Sequence, residues 1–252
     1  MTTALTEAEI DGWAEHPFVA RLKGYIALTD ADIKALGQLI EQRPTVERRR
    51  DLVVDGYAYR KLSFVSEGFG ARYKLLRNGK RQIINVILPG DVVGVPSSFL
   101  ERAIYSVIAL TEMKLHVCST DAYIQLCYRR PQFGLALSWL AVHEAAFYAE
   151  RVIDTGRRTP VERLAHFLLE LHSRLAAIGR AERAGFDLPF SQEVMGDALG
   201  LSVPHLNRML AQLRGEGLIA LANRRVEFPD PDAIAVRAQF QPLTLARIPP
   251  MA

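Results

Sequence analysis

Residues 190–221 read "FSQEVMGDALGLSVPHLNRMLAQLRGEGLIAL", and the fold turns on how the two apolar-periodic runs in this stretch meet. Ser191 is placed to cap a first helix whose inward face is Val194, Met195, Ala198 and Leu199. Gly200 can take the left-handed conformation that lets two helices meet steeply across a few residues. Ser202 stands at the cap of a second helix, and Pro204 is tolerated there because first-turn amides have no intrahelical partner. Leu206, Met209, Leu210 and Leu213 then face inward, which leaves His205, Asn207 and Arg208 outside. Gly215 and Gly217 stop the helix. "LIALANRRVEF" (218–228) alternates like a two-stranded hairpin with Asn223-Arg224 at its tip.

Any one of these pieces describes an ordinary packed hairpin. Their order is more specific: helix, capped steep turn, capped helix, glycine stop and basic hairpin is the grammar of a winged helix-turn-helix, whose second helix enters the major groove of DNA. The charge distribution agrees. Net charge is only +3, but between positions 208 and 225 Arg208, Arg214, Arg224 and Arg225 face a single acid, Glu216. A local positive face of this kind can meet phosphates.

Working toward the N-terminus, Pro160 opens "VERLAHFLLELHSRLAAIG", with Leu164, Phe167, Leu168 and Leu171 as a core stripe, and "RAERAGFDLPF" reads as a loop. "TGRRTP" (155–160) is a break between modules. Before it, "PQFGLALSWLAVHEAAFYAERVIDTG" (131–156) runs from a proline start to a glycine stop and is apolar on two sides. Phe133, Leu137, Leu140 and Phe147 form one side; Leu135, Trp139, Val142, Ala146 and Ile153 form the other. A neighbouring domain can bury the first stripe. The second calls for another partner, and the same helix of a second subunit supplies it. His143 and Glu144 read as a structural histidine and helix surface.

Farther upstream the period changes. "DAYIQLCYRRP" is a short helix, whereas residues 51–119 are short alternating runs broken by glycine, the pattern of a small β-sandwich or roll. Asn78-Gly79 predicts a type I′ hairpin, since both positions of that turn need positive φ. Residues 8–42 read as helical, with Thr29 the cap of "TDADIKALGQLIEQ".

Composition narrows the function classes. The N-terminal stretch "MTTALTEAEIDGWAEHPF" carries four acids and no Lys or Arg, unlike a signal or transit peptide. No apolar run approaches the roughly 18 residues of a membrane helix, so the expected location is the cytoplasm. Two cysteines, Cys118 and Cys127, exclude a four-thiolate metal or iron–sulfur site by count. No nucleophile–base ordering, phosphate-cradling glycine loop or metal-spaced cluster appears, and neither an enzyme nor a cofactor is expected. The fold class is α+β: N-terminal helices and a β-roll or jelly-roll sensor domain (1–130), a dimerisation helix and hinge (131–156), a winged helix-turn-helix domain (157–235) and a C-terminal tail (236–252).

In this arrangement the chain resembles the CRP/FNR family of dimeric bacterial transcription regulators, with a cyclic-nucleotide-binding-type roll. "LPGDVVG" (88–94) is similar to the family's Gly-Asp turn, 131–155 to its dimer helix and 190–228 to its winged helix-turn-helix. The resemblance implies double-stranded DNA with a palindromic site as partner, a homodimer, and RNA polymerase if the protein is an activator. It implies phosphate contacts from Ser191, Gln192, Arg224 and Arg225, a base-facing edge of Val203, Pro204, His205, Asn207 and Arg208, and a DNA-contacting Ser202 at the start of that helix. Family members with described readout carry Ser-Arg-Glu-Thr where this chain has Ser202-Val203-Pro204-His205, so the half-site is expected to differ in letters. Members that bind cyclic AMP place a glutamate on the ribose and an Arg-Ser pair on the phosphate. Here Val95-Pro96 and Ala103-Ile104 stand at those positions, with Arg102 one place out of register as a substitute. Cyclic AMP sensing is therefore not expected, and the effector is unknown or absent. The alternative is a ligand-binding roll that regulates a partner protein without DNA.

Overall fold

The computed structural model describes residues 12–243. The expected helical start at 8–11 and the end of the C-terminal tail lie outside these residues. The chain forms two compact units, one from residues up to Lys74 with Val86–Glu144, the other from Leu75–Asn85 and Ala145–Thr244.

In the first unit, α1 (Pro17–Lys23) and α2 (Asp30–Gly37) precede the strands. Thr29 caps α2 reciprocally: its hydroxyl accepts from the Asp32 amide at 3.2 Å, and the Asp32 carboxylate accepts from the Thr29 amide at 2.9 Å. Eight strands follow, β5 beginning in the segment that belongs to the second unit: β1 (Thr45–Val46), β2 (Asp51–Val53), β3 (Lys61–Glu67), β4 (Gly70–Leu75), β5 (Arg81–Ile87), β6 (Val92–Val93), β7 (Ser106–Ala109) and β8 (Met113–Ser119). They form two four-stranded sheets, β1-β8-β3-β6 and β2-β7-β4-β5, the expected roll. β3 and β8 pair antiparallel with Leu62 opposite Cys118 and Phe64 opposite His116. Against Leu62 and Phe64 pack Phe18 and Leu22 of α1, Tyr123 and Leu126 of α3 (Thr120–Arg129), and Phe133, Ala136, Trp139 and Leu140 at the start of α4 (Gln132–Gly156). Burial pushes the Cys118 thiol up to about 12, which keeps it a small core hydrophobe.

The Asn78-Gly79 hairpin forms, but with a different turn. Gly79 has φ +79° whereas Asn78 stays out of the left-handed region. The Gly79 amide bonds back to Leu76, and the Asn78 side chain accepts from the Lys80 amide at 3.0 Å. That local side-chain bond favours a right-handed turn closed by one left-handed glycine over the expected type I′.

In the second unit α5 (Pro160–Ala176) is the central helix, with Leu164, Phe167, Leu168 and Leu171 buried as the periodicity requires. The stretch expected as a loop contributes β9 (Gly185–Asp187), so the wing is three-stranded, in the order β10 (Ala220–Ala222), β11 (Arg225–Glu227), β9. A Cβ at Gly185 would meet the Val226 carbonyl oxygen at 2.2 Å, so glycine permits this close strand approach. α6 (Gln192–Leu199) and α7 (Val203–Gly215) are the expected helix pair. α8 (Pro231–Ala238), capped by Asp230, crosses the expected boundary at 235 and moves the domain's end beyond it.

Gly94, at the end of the Gly-Asp turn, has φ +122°, and a Cβ there would meet the Lys61 carbonyl oxygen at 2.3 Å. Backbone strain and clash therefore coincide. Gly94→Ala is expected to destabilise the first unit by about 2–4 kcal/mol, read as a lower urea midpoint. An unchanged midpoint contradicts this account.

Candidate nucleic-acid interface

The helix-turn-helix is assembled by local chemistry. The Ser191 hydroxyl accepts from the Val194 amide at 3.5 Å at the start of α6, and Gly200 closes that helix at φ 67°, ψ 32°. A Cβ at Gly196 would lie 2.6 Å from the Leu201 carbonyl oxygen, so the turn folds against α6 at a distance that only glycine allows. Arg163 of α5 donates to the Leu199 carbonyl at 2.7 Å, satisfying an end-of-helix acceptor and fixing α6 on the domain core. From the segment Leu75–Asn85, Arg81 pairs with Asp197 at 2.6 Å. Val194, Met195, Ala198, Leu199, Leu206, Leu210 and Leu213 are buried as read from the sequence.

This burial turns one edge of α7 to solvent. Ser202, Val203, Pro204, Asn207 and Arg208 are exposed, and His205 is half-buried beside them. Ala211, Gln212 and Arg214 extend the exposed surface; sequence reading missed them, although their spacing from Asn207 and Arg208 would have found them. Ser202 holds the expected cap position with extended backbone, but its hydroxyl makes no capping bond. Ser191 and Gln192 are exposed at the start of α6.

At the wing tip Asn223 and Arg224 both have positive φ, 50° and 62°. The type I′ geometry expected at Asn78-Gly79 is thus found here. A left-handed arginine costs on the order of 1 kcal/mol, and it presents an exposed guanidinium at the tip. Arg225 requires a correction. β11 pairs with β9 so that Arg225 lies opposite Asp187. Its guanidinium is held by Glu182 at 2.6 Å, Asp187 at 3.3 Å and Glu227 at 3.4 Å. It secures the wing instead of offering a free cation to phosphate.

The stripe expected to face a second subunit also needs correcting. Trp139 is buried in the first unit, with Tyr25 stacked on it at 3.8 Å and the Arg21 guanidinium 5.7 Å from its ring. Ala146 is half-buried. Exposed along α4 are Leu135, Ser138, Ala141, Val142, Ala145, Ala149, Val152, Ile153, Thr155 and Gly156. Of these, Leu135, Ser138, Val142, Ala145, Ala149 and Val152 recur in alternating steps of three and four, the spacing of a coiled-coil seam.

Inside the roll, Val95 and Ala103 are buried apolar residues, as read, and Ile104 is exposed. Arg102, the suggested substitute, donates instead to the Gly56 carbonyl at 3.0 Å. The charged groups of the interior come from elsewhere. Arg72 of β4, 1% exposed, pairs with Glu144 of α4 at 2.6 Å and donates to the Val92 carbonyl at 3.2 Å. Its guanidinium lies 5.4 Å from the Tyr105 ring, whose hydroxyl donates to the Val95 carbonyl at 2.6 Å. Arg21 joins Asp91 and bonds His143 Nδ1 at 2.8 Å. Burial raises the Glu144 carboxyl above its ordinary range, and Arg72 opposes that rise. Glu144 is therefore an internal ion-pair partner and not helix surface. Among the described residues no helix is long and apolar enough to cross a membrane, and no group of three His, Cys, Asp or Glu side chains is placed to hold a metal ion.

Comparison with known proteins agrees with this geometry. Residues 45–130 match the cyclic nucleotide-binding domain family, and residues 162–236 match the Crp-like helix-turn-helix domain family. The nitrogen fixation regulation protein FixK of Bradyrhizobium diazoefficiens is 30% identical over 174 residues, covering 69% of this chain and 72% of that protein. The transcriptional activatory protein AadR of Rhodopseudomonas palustris is 31% identical over 173 residues, covering 67% and 71% respectively. Among solved structures, FixK2 from Bradyrhizobium japonicum matches with a TM-score of 0.71 at 24% identity, over 77% of this chain and 96% of that one, a likeness of fold. A two-sheet roll, a long helix and a winged helix-turn-helix with an exposed second helix define a DNA-binding transcription regulator. The chain belongs to the CRP/FNR family of these regulators.

Proposed function

We propose that this regulator works as a homodimer on a palindromic DNA site and needs no cyclic nucleotide to do so. The observation that carries the DNA-reading half is the exposed edge Val203, Pro204, Asn207 and Arg208 on α7, beside a wing tip that offers Arg224. Arg208 alone on that edge has a rigid donor fork suited to the bidentate guanine contact, worth about 1–3 kcal/mol of discrimination. Val203 and Pro204 suit a thymine methyl, and Asn207 and His205 flank them. Ser191, Gln192 and Ser202, at two helix starts, and Arg224 at the wing position the phosphate backbone.

Dimerisation is supported by the seam on α4. Val142 is 59% exposed and Val152 70%, large values for apolar residues in a regular three–four spacing, while Ala145 and Ala149 between them allow close helix approach. Two such helices would bury this stripe and set the two readers about one helical turn apart. Independence from cyclic AMP is supported by the Arg72–Glu144 pair: a phosphate approaching Arg72 must displace a carboxylate already bonded to it at 2.6 Å. The relatives named as activators suggest RNA polymerase as a further partner.

Binding-site selection at two salt concentrations tests the assignment of roles. Arg208→Ala is expected to relax preference at one base pair per half-site with little change in salt slope. Arg224→Ala should weaken all sequences alike and lower the slope by about one charge, and Arg225→Ala should leave it unchanged. If Arg208→Ala keeps the wild-type sequence preference and loses only salt-dependent affinity, base reading falls to His205 and Asn207. For the dimer, Val142→Glu is expected to give monomers by light scattering and to lose operator binding. A wild type that is monomeric at micromolar concentration contradicts this reading.

A further inference from the structure

Within the second unit, the end of α4 joins α5 through a lattice of charges that is buried except at Glu150, whose side chain is 40% exposed. α4 supplies Glu150, Arg151 and Asp154; the linker supplies Arg158; α5 supplies His166, Glu170 and Arg174. Arg151 reaches Glu170 at 2.7 Å and Asp154 at 3.4 Å, and Arg158 reaches Asp154 at 2.8 Å and Glu150 at 3.0 Å. Arg174 closes the set on Glu170 at 3.3 Å and donates to Asn85 at 3.1 Å. Asp154, Glu170 and His166 are 1%, 2% and 3% exposed. Three carboxylates thus balance three guanidinia, and the lattice is neutral only while His166 is neutral.

His166 sits where a proton would disturb this balance. Its Nε2 lies 3.3 Å from the Glu150 carboxylate, and its Nδ1, buried without a hydrogen-bond partner among the described residues, lies 3.6 Å from Asp154. Phe240, beyond α8, meets the ring edge-on at 5.2 Å, and the charges where α8 packs on α5 are already paired, Arg237 with Glu162 at 3.2 Å. Asp154 is therefore contested: the guanidinium of Arg158 holds it, and an Nδ1–H would compete for the same oxygen.

We propose that His166 is a proton-operated release for the linker Arg157–Thr159, acid transferring Asp154 from Arg158 to the imidazolium. One proton enters from solvent onto Nδ1, the Nδ1–H bonds to Asp154, and the Arg158 guanidinium is left with the half-exposed Glu150 as its one carboxylate partner, at 3.0 Å. Loss of that tie loosens the linker that carries the DNA-binding helices, and affinity falls because a mobile linker must be ordered again on binding.

The sign follows from His166's surroundings. Burial, opposed by Asp154, lowers its pKa from 6.5, so the folded state resists the proton. The resistance costs stability as pH falls below about 6.5, where the unfolded chain takes up its proton first. Above that pH the lattice is intact.

Hydrogen exchange of the full-length protein at pH 7.5 and 5.5, corrected for intrinsic rates, tests this directly. The Arg157 amide, bonded to the Ile153 carbonyl at 2.9 Å, should lose about tenfold protection at the lower pH, and His166→Gln should hold it constant. In the wild type, the His166 ring titration by NMR should share its midpoint with that loss. Fluorescence anisotropy on a duplex from site selection should show about tenfold weaker binding at pH 5.5 in the wild type, but not in His166→Gln. Equal pH dependence in wild type and His166→Gln overturns the proposal, as does a ring midpoint separate from the exchange midpoint. The exchange and NMR measurements use no DNA, so they decide the proposal even where a failure to bind at pH 7.5 contradicts the operator reading.

Discussion

At the turn between α6 and α7 the backbone leaves no room for a side-chain carbon. The Leu201 carbonyl oxygen stands 2.6 Å from the place a Cβ would take on Gly196, and Gly200 sits at φ 67°. Two glycines four residues apart thus hold a close approach and a left-handed turn that other residues would open. The buried faces of both helices converge because of this turn, and the exposed edge of α7 is what remains when Leu206, Leu210 and Leu213 have gone into the core. The DNA-reading edge proposed for α7 depends on that arrangement.

The arginines divide by partner, and the division assigns their work. Arg151, Arg158 and Arg174 are committed to carboxylates inside the second unit, and Arg225 pairs with carboxylates on the surface of the wing. Arg72 and Arg21 are committed inside the first. Arg208, Arg214 and Arg224 remain exposed on α7 and the wing. A buried guanidinium is tolerable only with its acid beside it, because removing either partner leaves a desolvated charge. The internal pairs therefore cannot be borrowed for phosphate or nucleotide without cost. Net charge says little about such a molecule; the accounting that matters is which cations are left over.

Much of the fold is legible in the sequence because it is written in local terms. Helix faces follow from the spacing of Leu164, Phe167, Leu168 and Leu171, and the turn at Gly200 and the caps at Thr29 and Ser191 follow from residue chemistry within a few positions. What escaped depends on residues far apart in the chain. Trp139 looks like part of a subunit-facing stripe until Tyr25 covers it. Arg225 looks like a wing cation until β9 brings Asp187 opposite it. Glu144 looks like helix surface until Arg72 reaches it from β4. The Asn78-Gly79 turn failed for a subtler reason: the asparagine side chain bonds forward to Lys80 and favours another turn.

The central claim is that α7 reads DNA from each of two symmetry-related subunits. An iron chelate attached at Asn207→Cys tests it most directly, in a Cys127→Ser background because Cys118 is sealed in the core. Bound to its selected duplex, the labelled protein should cleave in two clusters placed symmetrically about the site's centre and separated by about one helical turn. A single cluster, or cleavage scattered without register on that duplex, would contradict the account.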